Sequence, residues 1–437
     1  MRTSRWWRLL AAFFALALIA AACGDDDNNA GGETPSEDDD AVDGTDGDDQ
    51  PDEGDDGGGT AADDSLEPVK IGLMNQENSP VGSFPEYRES VEAAAQYANE
   101  KLGGIDGHPI EIVSCVQAST EEAQACAQEL ASEGVVSVFG GINISTIGFD
   151  FYGTLGDTPV IGGTPLFPDD YAAPTARYFY GGALTVFGAM AQFVAEELEA
   201  TNVAILQNDN PAGQASAQVA ADTFDSLEVA YTRIDIPSPA TDVTPQVTQA
   251  ASGDFDAVLV LVSAAECGQV IASADQFDIP RETIVYTGTC NDEGIIDEFG
   301  DQAVGSYFHT TLIAADAEGD AVTADKREES EEIGRIQAEY NSGGTTGAFA
   351  TLGVQDLLVV QEVYSSLGFD ALADPANIFE AFDGGEWEVP AGTALMCGTW
   401  ANFPSVCNGD NYFPVLGDDG AVTGLDAPWN VLDLIGN

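Results

Sequence analysis

Val69-Lys70-Ile71-Gly72-Leu73-Met74 opens a run of alternating elements, and Gly140-Gly141-Ile142-Asn143-Ile144-Ser145-Thr146 closes it. The first segment is apolar and strand-like. After it, Val91, Ala95 and Ala98 recur at helical spacing, and Gly103-Gly104-Ile105-Asp106-Gly107 forms a turn. Pro109-Ile110-Glu111-Ile112-Val113 reads as a second strand, a helix begins at Ser119, and Val135-Val136-Ser137-Val138-Phe139 reads as a third strand. Strands and helices that alternate with short connections imply a parallel sheet covered by helices on its faces. Ligands of such sheets bind at the carboxyl ends of the strands, which here means the loops 75–85 and 140–146.

The same alternation continues. Thr158 to Pro165 is a fourth strand with its loop, and Ala176 to Gly182 is extended and crosses to a second lobe. There the pattern restarts. Strands are expected at Val203–Leu206, Val229–Ile234, Ala257–Val262 and Thr283–Thr287, with helices between them. Asp325 to Tyr340 and Phe349 to Leu367 read as long helices returning to the first lobe, and Asn411 to Leu416 as another crossing strand. The expected architecture is α/β: two doubly wound parallel-sheet lobes joined by three crossing strands, with residues 66–182 and 310–411 in one lobe and 183–309 and 412–437 in the other.

Composition narrows the function. A chain of 437 residues with 44% hydrophobic content suffices for two cores. A net charge of −64 would repel nucleic-acid phosphates, and it leaves an acidic, solvated surface. Arg2, Arg5 and Arg8 precede the apolar run Leu9–Ile19 and the small-residue site Ala20-Ala21-Ala22-Cys23, the layout of a secretion signal over residues 1–23. Residues 24–65 hold no Lys or Arg and read as a disordered acidic tether. Its acidic runs lack the ligand spacing of a calcium loop. The six cysteines beyond Cys23 allow fifteen pairings. Proximity favours Cys115–Cys126, Cys267–Cys290 and Cys397–Cys407. No metal site is expected, because Cys-x-x-Cys is missing and His108 and His309 are far apart in the chain.

Two resemblances follow from these residues. Ala20-Ala21-Ala22-Cys23 before a polar tract resembles a bacterial lipobox, which implies acylation of Cys23 and a lipid anchor in the membrane. From Val69 onward the chain resembles the type I solute-binding proteins of ABC importers, in the leucine/isoleucine/valine-binding branch. The supporting stretches are Ala98–Gly107, Gly140–Thr146, Thr241–Val247 and Gly347–Gln355, in that order. The resemblance implies an extracytoplasmic, monomeric protein that closes on a small solute and docks onto ABC permease subunits, with no cofactor and no catalysis.

It also implies a site. In relatives, the loop after the third strand meets a ligand carboxylate, which points to Asn143, Ser145 and Thr146; a helix starting there would add its dipole. Gly163 and Thr164 occupy the second contact position, and Phe84 that of an aromatic residue against the ligand's apolar part. The second lobe departs from the amino-acid binders. Ala212, near Asn210, stands where relatives carry a Tyr, Ser263 where they carry another, and Thr289 where they carry the Glu that takes an ammonium group. Losing two aromatics and the acid argues for a different ligand, or for a replacement amine site using Glu77, Glu266 or Asp292.

Two other classes compete with this reading. An enzyme would need a nucleophile with a positioned base, and neither histidine lies near a nucleophile-elbow pattern. A ligand-sensing receptor module uses the same fold, and a fused signalling segment would favour it.

Overall fold

The computed structural model describes residues 60–435, apart from 80, 81, 147, 345–347 and 419. The secretion signal, Cys23 and the tether up to residue 59 lie outside the described residues. Among the described residues, no helix is long and apolar enough to cross a membrane.

The first sheet holds β1 (Val69–Gln76), β2 (Ile110–Gln117), β3 (Ser137–Phe139), β4 (Val160–Ile161) and β5 (Ala176–Arg177) in the order β2-β1-β3-β4-β5, all parallel. Its helices are α1 (Pro85–Tyr97), α2 (Thr120–Ser132), α3 (Phe151–Leu155) and α4 (Pro168–Ala172). Alternation along β1 decides which core each side chain enters. Ile71 and Leu73 pack with Tyr87 and Val91 of α1, whereas Met74 faces Ala123 and Ala127 of α2. Ala176 and Arg177, expected in a crossing segment, instead form the sheet's last strand.

The second sheet follows α5 (Gly182–Glu196). It contains β6 (Asn202–Asn208), β7 (Ala230–Ile236), β8 (Ala257–Leu261), β9 (Ile284–Tyr286) and β10 (Tyr307–Phe308), with α6 (Pro211–Ser226), α7 (Thr244–Ser252), α8 (Ala264–Gln276) and α9 (Glu293–Ala303) between them. The order β10-β9-β8-β6-β7 is parallel. Further along the chain come α10 (Ala324–Tyr340), α11 (Ala348–Leu367) and α12 (Pro375–Gly384). Val354, Leu357 and Val360 of α11 and Ile378 and Phe382 of α12 return to the first lobe's core. β11 (Val415–Leu416) and β12 (Val422–Thr423) then extend the second sheet antiparallel, and α13 (Leu432–Ile435) ends the described chain.

Three passages join the lobes, and they pair with one another. Tyr178 bridges Val406 in parallel, and Thr310 bridges Tyr412 antiparallel. This is the expected α/β architecture of two parallel-sheet lobes. Three details differ from expectation. The tether is held before Ser65: the Ala62 N–H donates to Asn99 O at 2.8 Å and the Asp63 N–H to Gly107 O at 2.9 Å. Residues 313–317, assigned to the first lobe, pack Ile313 and Ala317 on Tyr412 and Leu425. Residues 432–435, assigned to the second lobe, place Leu432 and Ile435 beside Tyr171 of α4 and Trp400, because the last apolar residues find their cover there.

The three disulfides are Cys115–Cys126, Cys267–Cys290 and Cys397–Cys407. Cys267–Cys290 ties α8 to the turn after β9 across a separation of 23 residues. Replacing both cysteines by alanine should lower the unfolding free energy by about 3 kcal/mol, through the restored freedom of the unfolded loop. Urea denaturation of the oxidised proteins measures it.

Candidate functional site

The loops at the carboxyl ends of the first sheet are held by buried amides. Two polar residues end β1, one ends β2, and Asn143 follows β3. Buried amides must find partners, and these find one another. Asn143 Nδ2 donates to Met74 O at 2.8 Å and also to Gly140 O, and Asn143 Oδ1 accepts from Gln117 Nε2 at 2.9 Å. Gln76 Oε1 accepts from both the Ser145 N–H (2.9 Å) and the Ser145 hydroxyl (2.8 Å). The Thr146 hydroxyl donates to Asn143 O at 3.0 Å. Ser145 therefore lies in the expected loop, with both donors already engaged.

The helix expected to begin there does not. Ile144–Thr146 is a single 3-10 turn, and α3 starts only at Phe151, capped by Asp150. A three-residue turn sums too few peptide dipoles to attract an anion.

Gly162 and Gly163 adopt positive φ (+72° and +74°), which lets the backbone after β4 curl tightly over Asp356. The Gly163 N–H donates to Asp356 Oδ2 at 2.7 Å, and the Tyr87 hydroxyl donates to the same oxygen. Thr164 follows, half-buried, and no described residue hydrogen-bonds its hydroxyl. Asn143, Thr146 and Thr164 line one polar cavity of about 10 Å³ together with Asp170 and Tyr178, enough for roughly one water. Asp170 accepts from the N–H groups of Leu166 and Phe167 and from the Tyr152 hydroxyl, which also shares a hydrogen bond with the Tyr178 hydroxyl. Burial raises its carboxyl above the usual range.

The remaining candidates of the first lobe lie apart from that cavity. Glu77 is buried and accepts from Arg88 Nε at 2.7 Å and from Asn75 Nδ2 at 3.1 Å, so its charge is neutralised and it is not a free partner for an ammonium group. Phe84 packs edge-on against Phe349, with ring centroids 5.3 Å apart, and so anchors its loop to α11.

In the second lobe the candidates sit at strand ends, where each caps or braces a helix. Asn210 Oδ1 accepts the Gly213 N–H, and Asp292 the Gly294 N–H, at the starts of α6 and α9. Exposed Ser263 donates to buried Glu266, which also accepts the Ala240 N–H, so Glu266 braces α8 and its neighbouring loop. The Thr289 hydroxyl donates to Val262 O at 2.9 Å. Asn208, absent from the expected site, accepts the Ser263 N–H at 2.8 Å. His309, on a crossing passage, bonds Asn411 at 2.7 Å, and burial lowers its pKa to about 4.

Asp356 and Asp170 were missed because one lies on a helix and the other beyond the loop. The paired amides ending β1 were the available signal for the network. Among the described residues no metal-binding cluster occurs.

A fold of this architecture with polar loops at the strand ends defines a class. The chain belongs to the periplasmic binding protein family, whose model matches residues 68–388. Membership makes it an extracytoplasmic solute-binding protein. Solved structures share the fold. A leucine-binding protein, LivK, from Thermotoga maritima is 17% identical, covering 84% of this chain and 99% of its own, with a TM-score of 0.61. LivJ from Streptococcus pneumoniae, a branched-chain amino acid transporter substrate-binding protein in complex with isoleucine, is 19% identical over 83% and 99%, with a TM-score of 0.60. An ABC-transporter solute-binding protein from Rhodopseudomonas palustris, in complex with 3,4-dihydroxybenzoic acid, is 16% identical over 83% and 95%, with a TM-score of 0.61. No curated protein sequence matches at a significant level.

Burial raises the pKa of Asp356 to about 7, against the lowering effect of its bonds to Tyr87 and Gly163. Between about pH 4 and 7 the unfolded chain has lost this proton and the folded chain keeps it. Rising pH therefore destabilises the folded state through Asp356, by up to about 1.4 kcal/mol per unit. His309 works in the opposite sense, losing stability as pH falls from its ordinary range toward about 4. Asp356→Asn should gain on the wild type as pH rises from about 4 to 7, and chemical denaturation across that range measures the difference.

Proposed function

We propose that the protein captures a small solute (a branched-chain amino acid, an amide or a related carboxylate) between its two lobes and delivers it to the permease of an ABC importer. It acts as a monomer, tethered to the membrane by a lipid on Cys23 and held away from it by the acidic segment. The observation that carries this reading is the meeting of Asn143, Thr146 and Thr164, from two loops at adjacent strand ends, around one polar cavity. The Thr164 hydroxyl, which no described residue engages, supplies a contact for the solute. Ser263, Thr289 and Asp292 supply exposed polar groups at the strand ends of the other lobe. A solute touching both lobes favours the closed arrangement by its differential contacts alone. No bond is made or broken.

A thermal-shift screen of the mature protein against amino acids, their amides, short organic acids and aromatic acids tests the reading. A true solute at about 100 times its Kd adds roughly 2.7 kcal/mol of stability. If no compound stabilises the protein, the proposed solute class is wrong. Thr164→Val should weaken binding of the identified solute about five- to tenfold, the value of one lost hydrogen bond, while leaving the unliganded melting temperature unchanged. Calorimetric titration measures that loss.

A further inference from the structure

The donors of Ser145 are the feature of the first lobe that the proposed function leaves unused. Its N–H and its hydroxyl converge on one oxygen, an arrangement that would receive one oxygen of a carboxylate. That oxygen is already present and belongs to Gln76, a fully buried side chain. Gln76 is held there from its other end, because its Nε2 donates to Gly82 O at 3.0 Å and its backbone carbonyl accepts the Phe84 N–H at 2.9 Å.

Three further observations point the same way. Asn143 Nδ2 faces two carbonyl oxygens, so its Oδ1 must be the acceptor from Gln117, which leaves Gln117 Oε1 as a buried acceptor without a partner. Asn75 Nδ2 is likewise fixed on Phe84 O and Glu77, and Asn75 Oδ1 is a second unpartnered buried acceptor. Among the described residues, Asp170 is the one carboxylic acid lining the small cavity, and no Lys or Arg lines it. Arg88, in the first turns of α1, is engaged by Glu77, Glu89 and Glu92. The network is short of donors and rich in acceptors.

We infer that Gln76 is a specificity-determining residue: its amide oxygen fills the position a solute carboxylate would take at Ser145, so the first lobe selects a solute that presents an amide, amine or hydroxyl group there. The inference rests on the proposed solute-binding function and narrows its solute class.

Acetate is the probe that tests Gln76 independently of the solute. In ¹⁵N-labelled wild-type protein, the Ser145 amide resonance should not titrate with acetate beyond a sodium chloride control. In Gln76→Ala the emptied position should admit acetate, and the Ser145 resonance should move downfield and saturate. In Gln76→Glu, an isosteric control for folding, the resonance should already lie downfield and should not move. A saturable shift in the wild type, or none in a folded Gln76→Ala, would overturn the inference. Calorimetry on the wild type is the second measurement. L-leucinamide and 4-hydroxybenzamide should bind about tenfold or more tighter than L-leucine and 4-hydroxybenzoate. A preference for the acids overturns the inference. If neither member of either pair binds, the solute list fails, and the acetate titration still decides the role of Gln76.

Discussion

One side chain fastens the carboxyl ends of three strands. Asn143 leaves β3, donates to the carbonyl of Met74 in β1, and accepts from Gln117 at the end of β2. All of these groups are buried, where an unmet hydrogen bond costs more than a met one contributes. Moving the 140–146 loop would therefore break several bonds together. Because Gln76 anchors Ser145 and Asp356 anchors Gly163, the two loops around the small cavity are fixed from beneath by buried side chains. Preorganisation of this kind lowers the ordering cost of binding.

The acids of this chain fall into two populations. Among the described residues, most are exposed or half-buried. A few are buried, and each has its own device. Glu77 has Arg88, Glu266 has a hydroxyl and a backbone N–H, and Asp170 has two N–H groups and a tyrosine. Asp356 has a tyrosine and a glycine N–H on a single oxygen, which is too little to hold a full charge cheaply in an apolar core; its pKa rises accordingly.

The parallel sheets were legible because buried strands read as continuous apolar runs bounded by turns, as Ala257–Leu261 does. The disulfides were legible because close cysteines paired. β12, α12 and the 385–406 segment were not, since short elements carry little periodicity and take their form from tertiary packing. The site was legible only as a set of loops. The residues named there occupy the right strand ends, but which hydroxyls are free depends on contacts distant in sequence. Ser145 and Thr164 look alike in the sequence; Gln76 engages one, and no described residue engages the other. The dipole expected at Ser145 failed for a local reason, since Gly148 and Phe149 stand between the turn and α3.

Each cystine closes a loop inside one core. Cys115–Cys126 joins β2 and α2, Cys267–Cys290 lies wholly in the second core, and Cys397 and Cys407 both lie in the first. None bolts one lobe to the other. Oxidation can therefore harden each half of the molecule from within and adds no covalent link between the halves, although Cys407 also steadies a crossing passage, where its N–H donates to Tyr178 O at 2.9 Å.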